Sequence, residues 1–236
     1  MEAGPEGAVT GTAERFFRDG DYWRAWSAVP DLTVDIAYAL GAVRASDRRV
    51  LDAPCGRGRL LRACAGRAPA TRLCGVDVNH DMVAQARRDV PEAHVQVASV
   101  YALPFHDRTF DAVLCHESFM HFDEPRHALA ELCRVSRDRV YFSVTTRRQL
   151  NTLLRRVGML GTSDVPHWTY DLEDVRALLP GGFRWSITGA ILVGRKALRL
   201  SHGAHLTLHR MLGRLVPQPI LRRFGQTLFV YGARTS

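Results

Sequence analysis

The sequence predicts an α/β protein built on a mostly parallel sheet, and three observations carry that prediction. Short apolar segments alternate with amphipathic ones from Arg49 to Val144. The run Val50-Leu51-Asp52-Ala53-Pro54-Cys55-Gly56-Arg57-Gly58-Arg59-Leu60-Leu61 reads as a strand passing through a glycine turn into a helix. A second strand, ending in Gly75-Val76-Asp77, closes on a carboxylate. Crossover units that lay helices on a parallel sheet give this alternation.

In chain order, the region from Ala13 to Ala45 suits two helices. The first carries Phe16, Phe17, Tyr22, Trp23 and Trp26; the second carries Leu32, Ile36, Leu40 and Val43 at helical spacing. Strands follow at Arg49–Asp52, Arg72–Asp77, Ala93–Ala98, Phe110–Cys115 and Arg139–Val144, with helices at Arg59–Cys64, His80–Asp89 and Arg126–Val135 between them. Beyond Val144 the pattern loosens. Helices are expected at Arg148–Val157 and Leu172–Leu179, strands at Trp185–Leu192 and Leu228–Ala233, and a long amphipathic segment over Ala197–Val216 that Pro217 and Pro219 end. Residues 1–12, rich in Gly, Ala and Glu, read as disordered.

A chain of 236 residues, 46% hydrophobic and 24% charged, suits one soluble domain with an ample core. The five cysteines (Cys55, Cys64, Cys74, Cys115 and Cys133) lie in or near apolar segments without paired metal spacing, and so read as reduced thiols of a cytoplasmic protein. The N-terminal stretch has no apolar core of a secretion signal, and no run approaches the roughly 18 apolar residues that span a bilayer. The formal charge of +8 is carried almost wholly by arginine, Lys196 being the one lysine, and Arg195, Lys196, Arg199, Arg210, Arg214, Arg222 and Arg223 crowd the last fifth. Aromatics do not alternate with these cations as on a single-strand platform, which argues against nucleic acid. On Ala197–Val216 a solvated basic face is favoured over a membrane-facing one.

Two adenosine-containing cofactors compete for the glycine turn. Gly56 and Gly58 match the first two glycines of a dinucleotide fingerprint, but Leu61 stands where the third belongs. Asp52 adds a carboxylate that repels a pyrophosphate and attracts the ammonium of a methionine tail. The chemistry favours S-adenosylmethionine.

At these residues the chain resembles the class I methyltransferases, in particular the small-molecule branch with the "type 11" methyltransferase domain. Pro54 replaces the first glycine of that family's turn. The resemblance implies a Rossmann-like sheet of seven strands with helices on both faces and the last strand antiparallel. It implies a single domain over 13–236: a helical lid (13–45), a cofactor-binding core (46–146) and substrate-side elements with the final strands (147–236). It implies binding of S-adenosylmethionine by the turn Asp52, Ala53, Pro54, Cys55, Gly56 and Gly58. Asp77 would accept the ribose hydroxyls, the alternative being a helix cap, and Val78, Asn79 and Met82 would follow beside the adenine. Members commonly carry an acid where this chain has Ser99, so adenine recognition is expected from that hydroxyl and the Val100 backbone.

Cys115 and His116 end the fourth strand, at the switch point where open α/β sheets bind ligands. His116 is the first candidate for a general base and His121 the second, with Glu117 orienting either one or binding a substrate amine. The spacing His-Glu-x-x-x-His is not that of a helical zinc site, and no metal is expected. An acceptor pocket is expected from Tyr22, Trp23, Trp26, His167, Trp168 and Tyr170, the alternative being aromatics that cover the sheet edge. The reading is methyl transfer to an oxygen, nitrogen or carbon of a small metabolite, leaving S-adenosylhomocysteine. RNA or protein methylation, or a non-methylating S-adenosylmethionine-binding domain, are the alternatives.

Overall fold

The computed structural model describes residues 12–19, 34–147, 166–190 and 202–235. Helices α1 (Thr12–Asp19) and α2 (Val34–Leu40) precede the sheet. Then come β1 (Arg49–Asp52), α3 (Arg59–Arg67), β2 (Arg72–Asp77), α4 (His80–Asp89), β3 (His94–Val97), β4 (Phe110–Cys115), α5 (Pro125–Val135) and β5 (Ser136–Thr145). The chain continues through α6 (Leu172–Leu178), β6 (Phe183–Ala190), α7 (His202–Leu215), α8 (Gln218–Phe224) and β7 (Thr227–Arg234).

The strands form one seven-stranded sheet in the order β3-β2-β1-β4-β5-β7-β6. The first five strands run parallel, and β7 inserts antiparallel between β5 and β6. Strand alternation splits the apolar residues between two faces. Leu51, Val76, Val113, Val140 and Phe142 pack on one side with Leu129 and Leu132 of α5. Val50, Leu73, Leu114, Tyr141 and Phe229 pack on the other with Ile36, Leu61, Val83 and Ala86 from α2, α3 and α4. Burial on both faces explains why β1 and β4 read as continuous apolar runs rather than alternating ones.

The sheet, its parallel core and the antiparallel last strand are as the sequence predicts, with local differences. Strand β6 begins at Phe183, two residues before the expected Trp185, and β5 follows α5 without a loop. Pro217 does end α7, but the chain at once re-enters a helix, α8, with a proline in its first turn. The missing proline N–H costs nothing there, because first-turn donors have no intrahelical partner. The expected helix over Arg148–Val157 and the aromatics Tyr22, Trp23 and Trp26 lie outside the described residues, as do residues 1–11 of the stretch 1–12 expected to be disordered, whereas Thr12 opens α1.

Candidate active site

The glycine turn leaves β1 at the carboxyl edge of the sheet, beside the β1–β4 switch point. Ala53 and Cys55 anchor it, their N–H groups donating to Leu114 O (2.8 Å) and Val76 O (2.7 Å), and the Ala53–Pro54 peptide is cis. Gly56 and Gly58 hold φ of 51° and 84°, a region that costs a side-chain-bearing residue. Their surroundings differ. A Cβ on Gly56 would meet open space, whereas one on Gly58 would press within 3.3 Å of Ala86 on α4 and 3.1 Å of Val90 just past its end. Gly56 thus lies open for a ligand, and Gly58 lets α3 start against α4. The Cys55 and Cys115 thiols are buried in the core, and burial pushes both pKa values well up.

Asp77 ties this turn to the end of β2. Its Oδ2 accepts from Gly56 N at 2.8 Å and its Oδ1 from Asn79 N at 2.9 Å. Burial pushes its pKa up to about 6 against the pull of those N–H groups. The cap of α4 is Asn79, whose Oδ1 accepts from Met82 N at 3.0 Å, so Asp77 is not spent on capping. Met82 and Val100 are buried.

Asp52 is 1% exposed, and its Oδ1 makes no hydrogen bond. Burial and then the charge of Asp77 raise its pKa well above the carboxylate norm, with Arg59 opposing. An orphaned buried carboxylate oxygen invites a cationic donor. The ammonium of S-adenosylmethionine fits that demand, and the open face at Gly56 leaves room beside it.

Helix α1 closes over this edge. Asn79 Nδ2 donates to the carbonyls of Phe17 (2.9 Å) and Arg18 (3.2 Å), using one side chain to cap two helices. Glu14 receives the hydroxyl of Ser99 and pairs with Arg18. Ser99 Oγ in turn accepts from Tyr101 N at 3.1 Å. An acid therefore does stand at Ser99, supplied by α1.

At the end of β4, His116 is buried with both ring nitrogens engaged: Nε2 lies 3.0 Å from Asp35 and Nδ1 lies 3.0 Å from the Tyr141 hydroxyl. A tyrosine O–H donating to Nδ1 and an Nε2–H donating to the carboxylate satisfy the whole chain. Arg59 reaches Asp35 at 3.6 Å and Glu117 at 3.3 Å. Glu117 holds φ of 51° and is fixed by its N–H to Ser143 Oγ at 2.8 Å. Among the described residues Asp35, His116 and Glu117 bring potential ligand atoms within 4.8 Å of one another. The Arg59 guanidinium already supplies a cation there.

His121 differs from His116. Its Nδ1 lies 2.5 Å from the Pro166 carbonyl, which can only accept, so the proton sits on Nδ1 and Nε2 carries a lone pair. Burial lowers its pKa. Its ring lies 4.9 Å from Phe17 of α1 and 5.5 Å from His167. The segment after Pro166 is fastened to the site: Trp168 N donates to Met120 O at 2.8 Å, and Tyr170 N donates to Thr145 O at 3.0 Å. His167 is exposed beside His121, whereas Tyr170 is buried and Trp168 packs partly into the core. Asp35, Arg59, Tyr141 and Glu14 escape sequence reasoning. Asp35 alone leaves a signal, as an acid on the apolar face of α2. A cavity of about 280 Å³ lined by Gly41, Arg139, Arg184 and Tyr231 opens at the amino-terminal end of the strands, away from all these groups, and Arg139 there is paired with Asp47 and Asp138.

The fold and these edge residues define the class I S-adenosylmethionine-dependent methyltransferase architecture. A model of the methyltransferase domain matches residues 51–144. The chain is 30% identical over 182 residues to the malonyl-[acyl-carrier protein] O-methyltransferase of Geobacter sulfurreducens, covering 72% of this chain and 68% of that one. It is 37% identical over 98 residues to the demethylmenaquinone methyltransferase of Thermus thermophilus, covering 40% and 44%. Among solved structures, the magnesium protoporphyrin IX methyltransferase of Synechocystis with bound S-adenosylhomocysteine superposes with a TM-score of 0.65 at 17% identity, over 94% of this chain and 97% of that one. The chain spans about two fifths of the length of the first curated relatives it matches. The chain belongs to the methyltransferase-domain family.

Proposed function

We propose that this chain methylates a small metabolite at oxygen, nitrogen or carbon with S-adenosylmethionine, in the cytoplasm. The observation that carries the reading is the orphaned, buried Asp52 Oδ1 beside Asp77 at the switch point. The cofactor supplies, when bound, a methyl carbon activated by a sulfonium. In this reading Asp52 accepts the ammonium of the methionine tail, and Asp77 accepts the ribose hydroxyls. Both acceptances stabilise carboxylates that burial alone disfavours. Gly56 keeps the turn clear of side-chain atoms. Glu14, Ser99 and the Val100 backbone address the adenine, and α1 excludes water from it.

His121 is the general base for an acceptor that must lose a proton, because the Pro166 carbonyl holds the Nδ1 proton and leaves the Nε2 lone pair to accept one. His116 is a positioning residue that fixes α2, through Asp35, against β4 and β5. His167 borders the acceptor from the segment after Pro166. The names of relatives acting on a carrier-bound malonyl group and on demethylmenaquinone favour a small organic acceptor over RNA or protein. The five free cysteines, buried or half-buried, suit a reducing compartment.

Calorimetry of the purified chain with S-adenosylhomocysteine tests the cofactor reading, and the expected result is saturable heat that D52A abolishes. Incubation with methyl-labelled cofactor and a metabolite extract tests the acceptor class, and a product heavier by one methyl is expected. Label retained on RNA or protein moves the acceptor class, and binding without turnover on any panel leaves a non-methylating domain.

A further inference from the structure

The net positive charge of this protein comes from its last 62 residues. No Asp or Glu follows Asp174, whereas ten Arg or Lys do, so the final 62 residues hold an excess of cations while the preceding 174 hold 22 basic against 24 acidic residues. Within that acid-free stretch, α7 and α8 form the connection between β6 and β7. Five large apolar side chains are exposed among the described residues, and four of them are here: Met211 (52%), Leu215 (73%), Ile220 (49%) and Phe224 (54%). They fall one turn apart on each helix, a pair on one face of each. Arg214 and Arg223 are exposed between them, and the Arg223 guanidinium lies 5.6 Å over the Phe224 ring.

Other faces of both helices hold them on the domain. His209 and Leu221 are buried, and the Leu221 backbone crosses Gly189 so closely that a Cβ there would fall 2.3 Å from it. The exposed pairs are therefore not on the side that α7 and α8 use to pack. Their position is also informative. Thr227 pairs with Ala190 at the end of β6 and with Thr145 at the end of β5, so the α7–α8 connection sits at the carboxyl edge of the sheet, the edge that carries Asp52, Asp77 and His116.

We propose that α7 and α8 dock this protein on an anionic lipid bilayer, the apolar pairs entering the interface and the arginines meeting lipid phosphates. Apolar side chains interleaved with arginine, and no acid to oppose them, match a negatively charged surface that is also greasy. A nucleic acid offers the charge but nothing for Leu215 and Phe224 to enter. The inference stands without the methyl-transfer reading, since it rests on the surface alone. No helix among the described residues is long and apolar enough to cross a membrane, so the contact is peripheral.

Sedimentation of the full chain with phosphatidylcholine vesicles, with and without phosphatidylglycerol, tests it. The chain is expected to pellet with the anionic vesicles, to stay in solution with the neutral ones, and to be released by salt. L215S/F224S is expected to lower the bound fraction on the order of tenfold with an unchanged melting temperature, because both side chains are exposed. R214Q/R223Q is expected to lower it to a similar extent. Failure to pellet with anionic vesicles, or pelleting that L215S/F224S leaves unchanged, overturns the proposal. Retention of labelled transfer RNA without vesicle binding overturns it too, in favour of nucleic acid.

Discussion

The Ser99 hydroxyl donates to the carboxylate of Glu14, which lies 85 residues earlier in the chain. Glu14 is held from the other side by Arg18, and α1 as a whole by Asn79, so the carboxylate is placed rather than free. If it reads the adenine amino group, E14Q should weaken S-adenosylhomocysteine binding about tenfold, the worth of one charge-assisted hydrogen bond. The inosine analogue lacks that amino group and should bind wild type and E14Q alike. Equal losses for both ligands would remove Glu14 from adenine recognition.

Asp77 should make cofactor affinity depend on pH. Burial raises its carboxyl from the ordinary 3.8 to about 6, so the unliganded fold keeps a proton that the unfolded chain has released. The stability this contributes is present below 3.8 and is lost as pH rises through about 6. Ribose hydroxyls need the ionised form, so S-adenosylhomocysteine affinity should fall as pH drops through the same value. D77N should flatten both profiles, and D77A should cost on the order of a hundredfold in affinity. A titration with no inflection near 6 in wild type would exclude this placement.

His121 should govern turnover rather than binding. With an acceptor that must lose a proton, H121A should lower kcat by roughly a hundredfold or more while leaving S-adenosylhomocysteine affinity intact. Because burial lowers its pKa, the acid limb of kcat in wild type should lie below the ordinary histidine value of 6.5. An unchanged kcat in the variant would remove His121 as the base.

His116 should behave in the opposite way. Replacement by alanine removes one hydrogen-bond partner from the buried Asp35 carboxylate, which keeps Arg59, and one from the buried Tyr141 hydroxyl, which keeps Ser143. A loss of about 2–3 kcal/mol in denaturant unfolding is expected. H116Q, which can still donate to Asp35, should recover part of it. A fully stable H116A with abolished turnover would instead make His116 the base.

Gly189 tests the packing of α8 on the sheet. A Cβ there would fall 2.3 Å from the Leu221 backbone, and backbone cannot rotate away as a side chain can. G189A should destabilise by about 2–3 kcal/mol, read as a lower melting temperature. An unshifted melt would mean that α8 moves freely on β6.

The sequence alone determined the parallel core, the glycine turn and the two strand-end acids, because these are local signals. A strand, its turn and the following helix occupy contiguous residues, and their hydrophobic period and glycines are printed in order. Asp52 and Asp77 were legible for the same reason. What the tertiary structure decided was which groups complete them. Glu14 reaches Ser99, Asp35 reaches His116, and the Pro166 carbonyl fixes the His121 proton, each across tens of residues that leave no periodic trace. His116 and His121 look interchangeable in the chain. Only the fold, by engaging both nitrogens of one and leaving a lone pair on the other, tells them apart.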